Sequence, residues 1–214
     1  MRNNSQINLT ARSSLSNFYD MHEEIRNLQT KILSKGWSVL KKLTFQFRAP
    51  NGEWQEQARE AYDIGNGATV LLYDKKKKTV ILTRQLRIPT YLNGNRDGML
   101  IEACAGKIEN EDHEETVKRE VIEETGYKIE SLQKIFESYM SPGSVTELIH
   151  FYVAPISEEM RISEGGGLAE EMENIEVLEI KFNDAYSMID SGQMKDAKTI
   201  MLLQYAKINQ LLER

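Results

Sequence analysis

Short apolar runs separated by turn signals occupy the first two thirds of the chain, and a helical rhythm takes over near its end. From about Leu28 the pattern becomes strand-like. WSVLKKLTFQF (37–47) and a later segment ending near Tyr62 are separated by APNGEW, whose Pro50-Asn51-Gly52 is a hairpin turn signal. ATVLLYD (68–74) and TVILTRQ (79–85) read as strands flanking Lys75–Lys78, which fit a solvated hairpin tip better than a phosphate patch. Further strands are expected at about 134–139, at LIHFYVA (148–154) and at IEVLEIKF (175–182). Residues 183–190 and 195–212 read as helices, the second with Ile200, Leu203, Ala206 and Leu211 at roughly helical spacing. Residues 1–24 are polar, rich in Asn and Ser, and read as a loose lead-in. The order predicts an α/β layered domain at 65–214, preceded by a small antiparallel β extension at 25–64.

One predicted helix, from about Glu111 to Thr125, is unusually acidic. Asp112 followed by Glu115 resembles a capping box, Gly126 stands where a C-terminal cap belongs, and Val117, Val121 and Thr125 make a buried stripe. At about 100° per residue, Glu120, Glu123 and Glu124 share one face bordering that stripe. Like charges at this spacing repel, and the helix dipole disfavours anions at its C-terminal end. A solvated acidic face would interleave basic residues, yet Lys118 and Arg119 are the only ones in the last two turns. A bound divalent cation would relieve the repulsion, and hard oxygen ligands suit magnesium or manganese.

Composition narrows the classes. With 214 residues, 40% hydrophobic and 28% charged, the chain is long enough for one full domain and an appendage. A formal net charge of −6 argues against nucleic-acid binding and requires local cations if the substrate is an anion. A single cysteine, Cys104, removes internal disulfides and Cys-rich zinc sites, and with no activating base in sight it reads as packing. MRNNSQINLT lacks the apolar stretch of a secretory signal and no run is long enough to span a membrane, so a soluble, cytoplasmic protein is expected. His22, His113 and His150 are scattered and read as structural.

The run from Gly106 to Tyr127 resembles the Nudix box, G-x5-E-x7-R-E-U-x-E-E-x-G-U with U aliphatic, of the Nudix hydrolase superfamily. Arg119-Glu120-Val121-Ile122-Glu123-Glu124-Thr125-Gly126 matches its second half position by position, and Tyr127 replaces the last aliphatic. The first half is one residue short, so counting back from Arg119 selects Glu111 as the early acid and counting forward from Gly106 selects Asp112. Further segments, at 65–87, 101–110, 139–154, 165–180 and 196–205, are similar to the nucleoside-diphosphate-sugar branch, more closely to its GDP-mannose-hydrolysing members than to its ADP-ribose-hydrolysing ones.

The resemblance implies a Nudix α/β/α sandwich and magnesium-dependent hydrolysis of the diphosphate of a nucleoside diphosphate sugar. It implies GDP-mannose first, with ADP-ribose or a non-hydrolysing sensor as alternatives. The implied ligands are Glu120, Glu124 and the Ala105 carbonyl, with Glu123 as a ligand or outer partner and Arg119 orienting the glutamates. The glycine-rich acidic loop 164–174 reads as mobile and, by the resemblance, supplies the general base. Glu171 is the first choice and Glu173 its rival, both also standing as further metal ligands, and Glu170 is a weaker candidate that also serves with the substrate contacts. Arg87 is the expected phosphate clamp, while Arg84 is either a second clamp or paired to a surface acid. Gly106, Lys107 and Glu147 join the substrate contacts, as does Lys198, for which a solvated helix lysine is the other reading. Trp37 is a stacking candidate for the base or a packing residue, and Arg59 and Glu60 would reach a substrate on the other subunit of a homodimer that exchanges its β extensions.

Overall fold

A computed structural model of the chain describes residues 24–108, 112–168, 170 and 172–213. The candidates Glu111 and Glu171, together with His22 and the lead-in before Glu24, lie outside the described residues. The chain divides into two units, Met1–Tyr62 and Asp63–Arg214.

The first unit is a three-stranded sheet in the order β1 (Ile25–Lys35), β2 (Val39–Arg48), β3 (Trp54–Asp63), with β1 and β2 antiparallel. The Pro-Asn-Gly turn forms as its sequence predicts. The Ala49 N–H donates to the Glu53 carbonyl at 2.8 Å, and the Gly52 N–H to the Ala49 carbonyl at 2.8 Å. All residues of β1 are exposed, including Ile25, Leu28, Ile32 and Leu33.

The second unit is built on one mixed sheet of β4 (Gly67–Asp74), β5 (Thr79–Leu86), β6 (Met99–Glu102), β7 (Cys104–Lys107), β8 (Gln133–Tyr139), β9 (Leu148–Pro155) and β10 (Glu176–Lys181). Its order is β10-β5-β4-β9-β8, with β6 on β5 and β7 on β4; β4 and β9 are parallel and the other pairs antiparallel. Every residue of β4 is buried because helices cover both faces, which is why its sequence is continuously apolar. On one face Val70 and Leu72 pack with Cys104, Tyr152 and the Val117–Val121 stripe of α2 (His113–Thr125). On the other, Leu71 and Tyr73 pack with Phe182 and Ala185 of α3 (Phe182–Asp190) and with Leu202, Leu203 and Ala206 of α4 (Ala197–Ile208). That is the α/β/α layering expected.

Several details differ from the sequence reading. Strands β6 and β7 and the short helix Ile88–Leu92 were not foreseen, since four or five residues are too few for a period to show. Helix α4 ends at Ile208, short of residue 212. The capping box does not close: Asp112 caps α2 alone, accepting from the Glu114 N–H at 2.9 Å, while Glu115 pairs with Lys118. Nor are His113 and His150 scattered, because β9 brings the His150 ring within 4.6 Å of the His113 ring, and Tyr152 Oη lies 2.5 Å from His113 Nδ1. The lysine run is a hairpin tip: Asp74 accepts from the Lys76 and Lys77 N–H groups, and Lys77 pairs with Glu158 and Glu179. No helix among the described residues is long and apolar enough to cross a membrane.

Helix α2 ends at Gly126, whose φ of 77° is the left-handed conformation that glycine adopts without strain. An added Cβ there would also lie 2.1 Å from the Ser163 carbonyl oxygen. Gly126→Ala is therefore expected to lower the unfolding free energy by more than the ~1 kcal/mol of a left-handed alanine alone. Urea denaturation measures this, and a loss below that figure would mean the Ser163 segment yields freely.

Candidate active site

The acidic face of α2 is drawn inward by the Val117–Val121 stripe. Glu124 is 3% exposed, and its Oε2 has no hydrogen-bond partner among the described residues. Burial pushes its carboxyl up to about 8; the Cys104 thiol and Arg87 work against this, while Glu120 and Glu173 add to it. Glu120, one turn earlier, is pushed up to about 7, chiefly by burial; Arg119 opposes the rise, and Glu123 and Glu173 reinforce it. Arg119 spans the face, with Nη1 2.8 Å from Glu123 and Nη2 3.0 Å from Glu120. It therefore touches the two half-buried glutamates it was expected to orient.

Strand β7 runs against this face. A Cβ on Gly106 would lie within 2.2 Å of the Glu120 side chain, so only glycine lets the Glu120 carboxylate approach the strand. Ala105 is the preceding residue, in register with Thr69 of β4. Cys104 packs in the core beside Val70 and Val121, and its thiol is pushed well up by burial and by Glu124, Glu120 and Glu123.

The glycine-rich loop was expected to be mobile, but its first half is tied to the end of α2. The Gly166 N–H donates to the Glu124 carbonyl at 2.9 Å, Gly167 to Glu123 at 3.0 Å, and Ile162 to Gly126 at 2.8 Å. These bonds satisfy carbonyls that a helix C-terminus leaves open. Glu173 accepts from the Leu168 N–H at 3.2 Å and acts electrostatically on both Glu120 and Glu124. Glu170 is exposed.

A second cluster lies where β5, β6 and the start of α4 meet. Arg87 donates through Nε to Glu102 Oε2 at 2.6 Å, and Lys198 Nζ lies 3.3 Å from Glu102 Oε1 and 2.7 Å from Asp196 Oδ1. Glu102 is buried, and Lys198 is largely so. Burial works against the Lys198 charge, but Asp196 and Glu102 together raise its pKa. Lys198 is thus not a solvated helix lysine. Arg84 pairs with Asp97 and Glu176, the ion-paired alternative of its two readings. Glu147 is half-buried, with its pKa raised by burial and lowered in part by Lys198, and it lies beside Gly67. Lys107 is exposed next to Gly65.

The sequence reading missed Glu102 and Asp196. A charged residue inside the apolar run MLIEACA was the available signal for Glu102, since a charge is buried only when paired. Asp196 was visible as a helix cap, and its Oδ2 does accept from the Thr199 N–H at 2.9 Å. Trp37, Arg59 and Glu60 belong to the first unit. Trp37 is 80% exposed, Glu60 is exposed, and the Arg59 guanidinium bonds locally to the Ala58 carbonyl and Gln57.

The residues fit a divalent cation, though not as a finished cage. Among the described residues no three His, Cys, Asp or Glu side chains converge as a metal-binding group. The orphaned Oε2 of Glu124, the raised pKa values of two adjacent carboxyls and the close approach of Glu120 to β7 are what a hard-cation site looks like before its charge is balanced.

Comparison with known proteins accords with this geometry. Residues 63–201 match the NUDIX domain model, and residues 24–62 match the model of the GDP-mannose pyrophosphatase NudK N-terminal domain. A protein of Yersinia enterocolitica named GDP-mannose pyrophosphatase is 50% identical over 193 residues, covering 90% of this chain and 100% of its own length. One of the same name from Pectobacterium atrosepticum is 51% identical over 188 residues, covering 88% of this chain and 96% of its own. Family members generally use divalent metal ions. With the acidic helix, the layered sheet and both family models in agreement, the chain belongs to the Nudix hydrolase family and is a pyrophosphatase of that fold.

Proposed function

We propose that the protein hydrolyses GDP-mannose to GMP and mannose 1-phosphate with magnesium as cofactor. The observation that carries this is a group of unbalanced acids within electrostatic reach of a guanidinium held by its own carboxylate. Glu124 and Glu120 offer anionic oxygens without enough positive charge to balance them, while Arg87 lies close enough to Glu124 to lower its pKa. A diphosphate with its cation needs both. The names and full-length similarity of the relatives support the choice of sugar nucleotide.

Glu120, Glu124 and the Ala105 carbonyl would hold the metal, with Glu173 beside them. Magnesium, when bound, neutralises charge on the diphosphate oxygens and lowers the pKa of the attacking water. Arg119 keeps Glu120 and Glu123 in position through its two contacts. The 164–174 loop supplies the general base, Glu171 or Glu173, and Arg87 clamps a phosphate with Lys198, Lys107 and Glu147 near the sugar nucleotide. Anchoring Gly166 and Gly167 to α2 keeps that loop in register with the metal-holding face. We further infer a homodimer that exchanges the 25–64 sheets, bringing Trp37, Arg59 and Glu60 to the partner's substrate. The exposed Ile25, Leu28, Ile32 and Leu33 of β1 support it, since exposed apolar rows mark interfaces.

Product release from GDP-mannose, ADP-ribose, ADP-glucose and UDP-glucose, with magnesium and with chelator, tests the reaction. GDP-mannose is expected to show the highest kcat/KM, lost on chelation; a preference for ADP-ribose would overturn the substrate, and binding without turnover would make the protein a sensor. Glu120→Gln should lower kcat by about a thousandfold or more while the fold persists. Turnover near wild type would remove Glu120 from the metal site.

The buried carboxylate also predicts a pH dependence of stability. Glu124 titrates near 8 when folded, above its ordinary value, so the folded state holds a proton that the unfolded chain releases. Stability of the metal-free protein should therefore fall as pH rises from about 5 to about 8.5. Glu124→Gln should flatten that slope and abolish the rise in Tm that magnesium gives the wild type at about pH 8. An unchanged slope in the variant would show that Glu124 is not buried as a carboxylate.

A further inference from the structure

Glu102 has no place in the reaction just described, yet it is a buried carboxylate between two of the cations that reaction uses. Both of its oxygens are committed to them, Oε2 to Arg87 Nε at 2.6 Å and Oε1 to Lys198 Nζ at 3.3 Å. Asp196, the other acid of the cluster, shares Lys198, with Oδ1 2.7 Å from its Nζ, and has a structural task besides. Its Oδ2 accepts from the Thr199 N–H and hydroxyl, and Thr199 Oγ1 in turn accepts from the Ala103 N–H at 2.6 Å. That chain of bonds, through the Asp196 carboxylate and the Thr199 hydroxyl, ties the first turn of α4 to the residue after Glu102.

Holding Arg87 by Nε has a geometric consequence. A guanidinium has five N–H donors in a rigid fork, and a carboxylate on Nε leaves both terminal amino groups unused. Those groups make no hydrogen bond among the described residues, and the side chain is partly exposed. Terminal amino groups are what a phosphate needs for a bidentate contact. A carboxylate that served packing alone would be replaceable by an apolar side chain of similar volume, because burying a charge is costly and gains little net stability.

We propose that Glu102 is a positioning residue for anion binding: it turns the Arg87 fork outward and fixes the Lys198 ammonium beside it, so that together they take the diphosphate of a nucleotide. The proposal rests on the reading that Arg87 and Lys198 bind substrate. The sign of the effect separates position from field. Removing a negative charge would, by Coulomb attraction alone, tighten the binding of an anion. Loss of position weakens it instead.

The test is GDP binding by calorimetry, with steady-state kinetics on GDP-mannose alongside, for wild type, Glu102→Gln, Arg87→Ala and the double variant. Glu102→Gln is expected to raise Kd for GDP and KM about tenfold while kcat stays within about threefold. In the Arg87→Ala background it should add little, because its action passes mainly through that side chain. Unchanged or tighter GDP binding, or an effect fully additive with Arg87→Ala, would overturn the proposal, and a loss of Tm alone would leave Glu102 a purely structural residue. If Glu102→Gln does not fold, Glu102→Asp replaces it in the same cycle. Its shorter reach must weaken GDP binding when Arg87 is present and hardly at all when Arg87 is absent. A wild type that binds GDP but leaves GDP-mannose intact overturns the proposed reaction and not the role of Glu102. A wild type that does not bind GDP overturns both.

Discussion

The structure of the second unit turns on placing a carboxylate where water cannot reach it. Val117 and Val121 seat α2 on β4 and β9, and the same rotation that buries them carries Glu124 into the interface. Desolvation then raises the pKa of Glu124 and of Glu120 beside it, and the neighbouring acids raise them further. Hydrophobic burial holds this unfavourable electrostatics in place, because the helix cannot turn its acids to solvent without exposing its valines. The remaining features answer that constraint. Arg119 braces two of the acids, Gly106 leaves Glu120 room beside β7, and the loop N–H groups close the helix end.

Much of this was legible in the chain. The apolar runs gave β4, β5 and β9 because layers on both faces bury β4 wholly and β5 and β9 over most of their length. The cap at Gly126 and the valine stripe locate α2, and the four-residue spacing of Glu120 and Glu124 puts the acids on one face. What stayed illegible was contact between segments far apart in sequence. Nothing near Glu102 announces Lys198, and nothing near His113 announces His150; in each pair a strand residue meets a residue at the start of a helix packed on the sheet. The glycine-rich loop shows the same limit: its composition suggests freedom, but Gly166 and Gly167 donate to α2, and Glu173 donates back to Leu168.

The two clusters differ in how they handle charge. Around Arg87 and Lys198 the cations are matched by Glu102 and Asp196, so the group is balanced and its geometry is held firm by paired hydrogen bonds. Around Glu124 the acids outnumber their one brace, and the imbalance is stored as raised pKa values. A charged ligand can only dock by adding to one set what it lacks and meeting in the other a fixed pattern of donors. This division suits a substrate that arrives with its own countercharge.

The parallel pairing of β4 with β9 sets the order in which such a chain can mature. Gly67 lies against Ile149 and Val70 against Tyr152, so the central strand waits for a partner that leaves the ribosome much later. Lys198 comes later still, on a helix whose first turn is bonded back to Ala103. Until that turn docks, Glu102 is a buried acid lacking one of its two cations. A chain that stops before α4 lacks Lys198, the Asp196–Thr199 turn and the layer that Leu202, Leu203 and Ala206 add to the core.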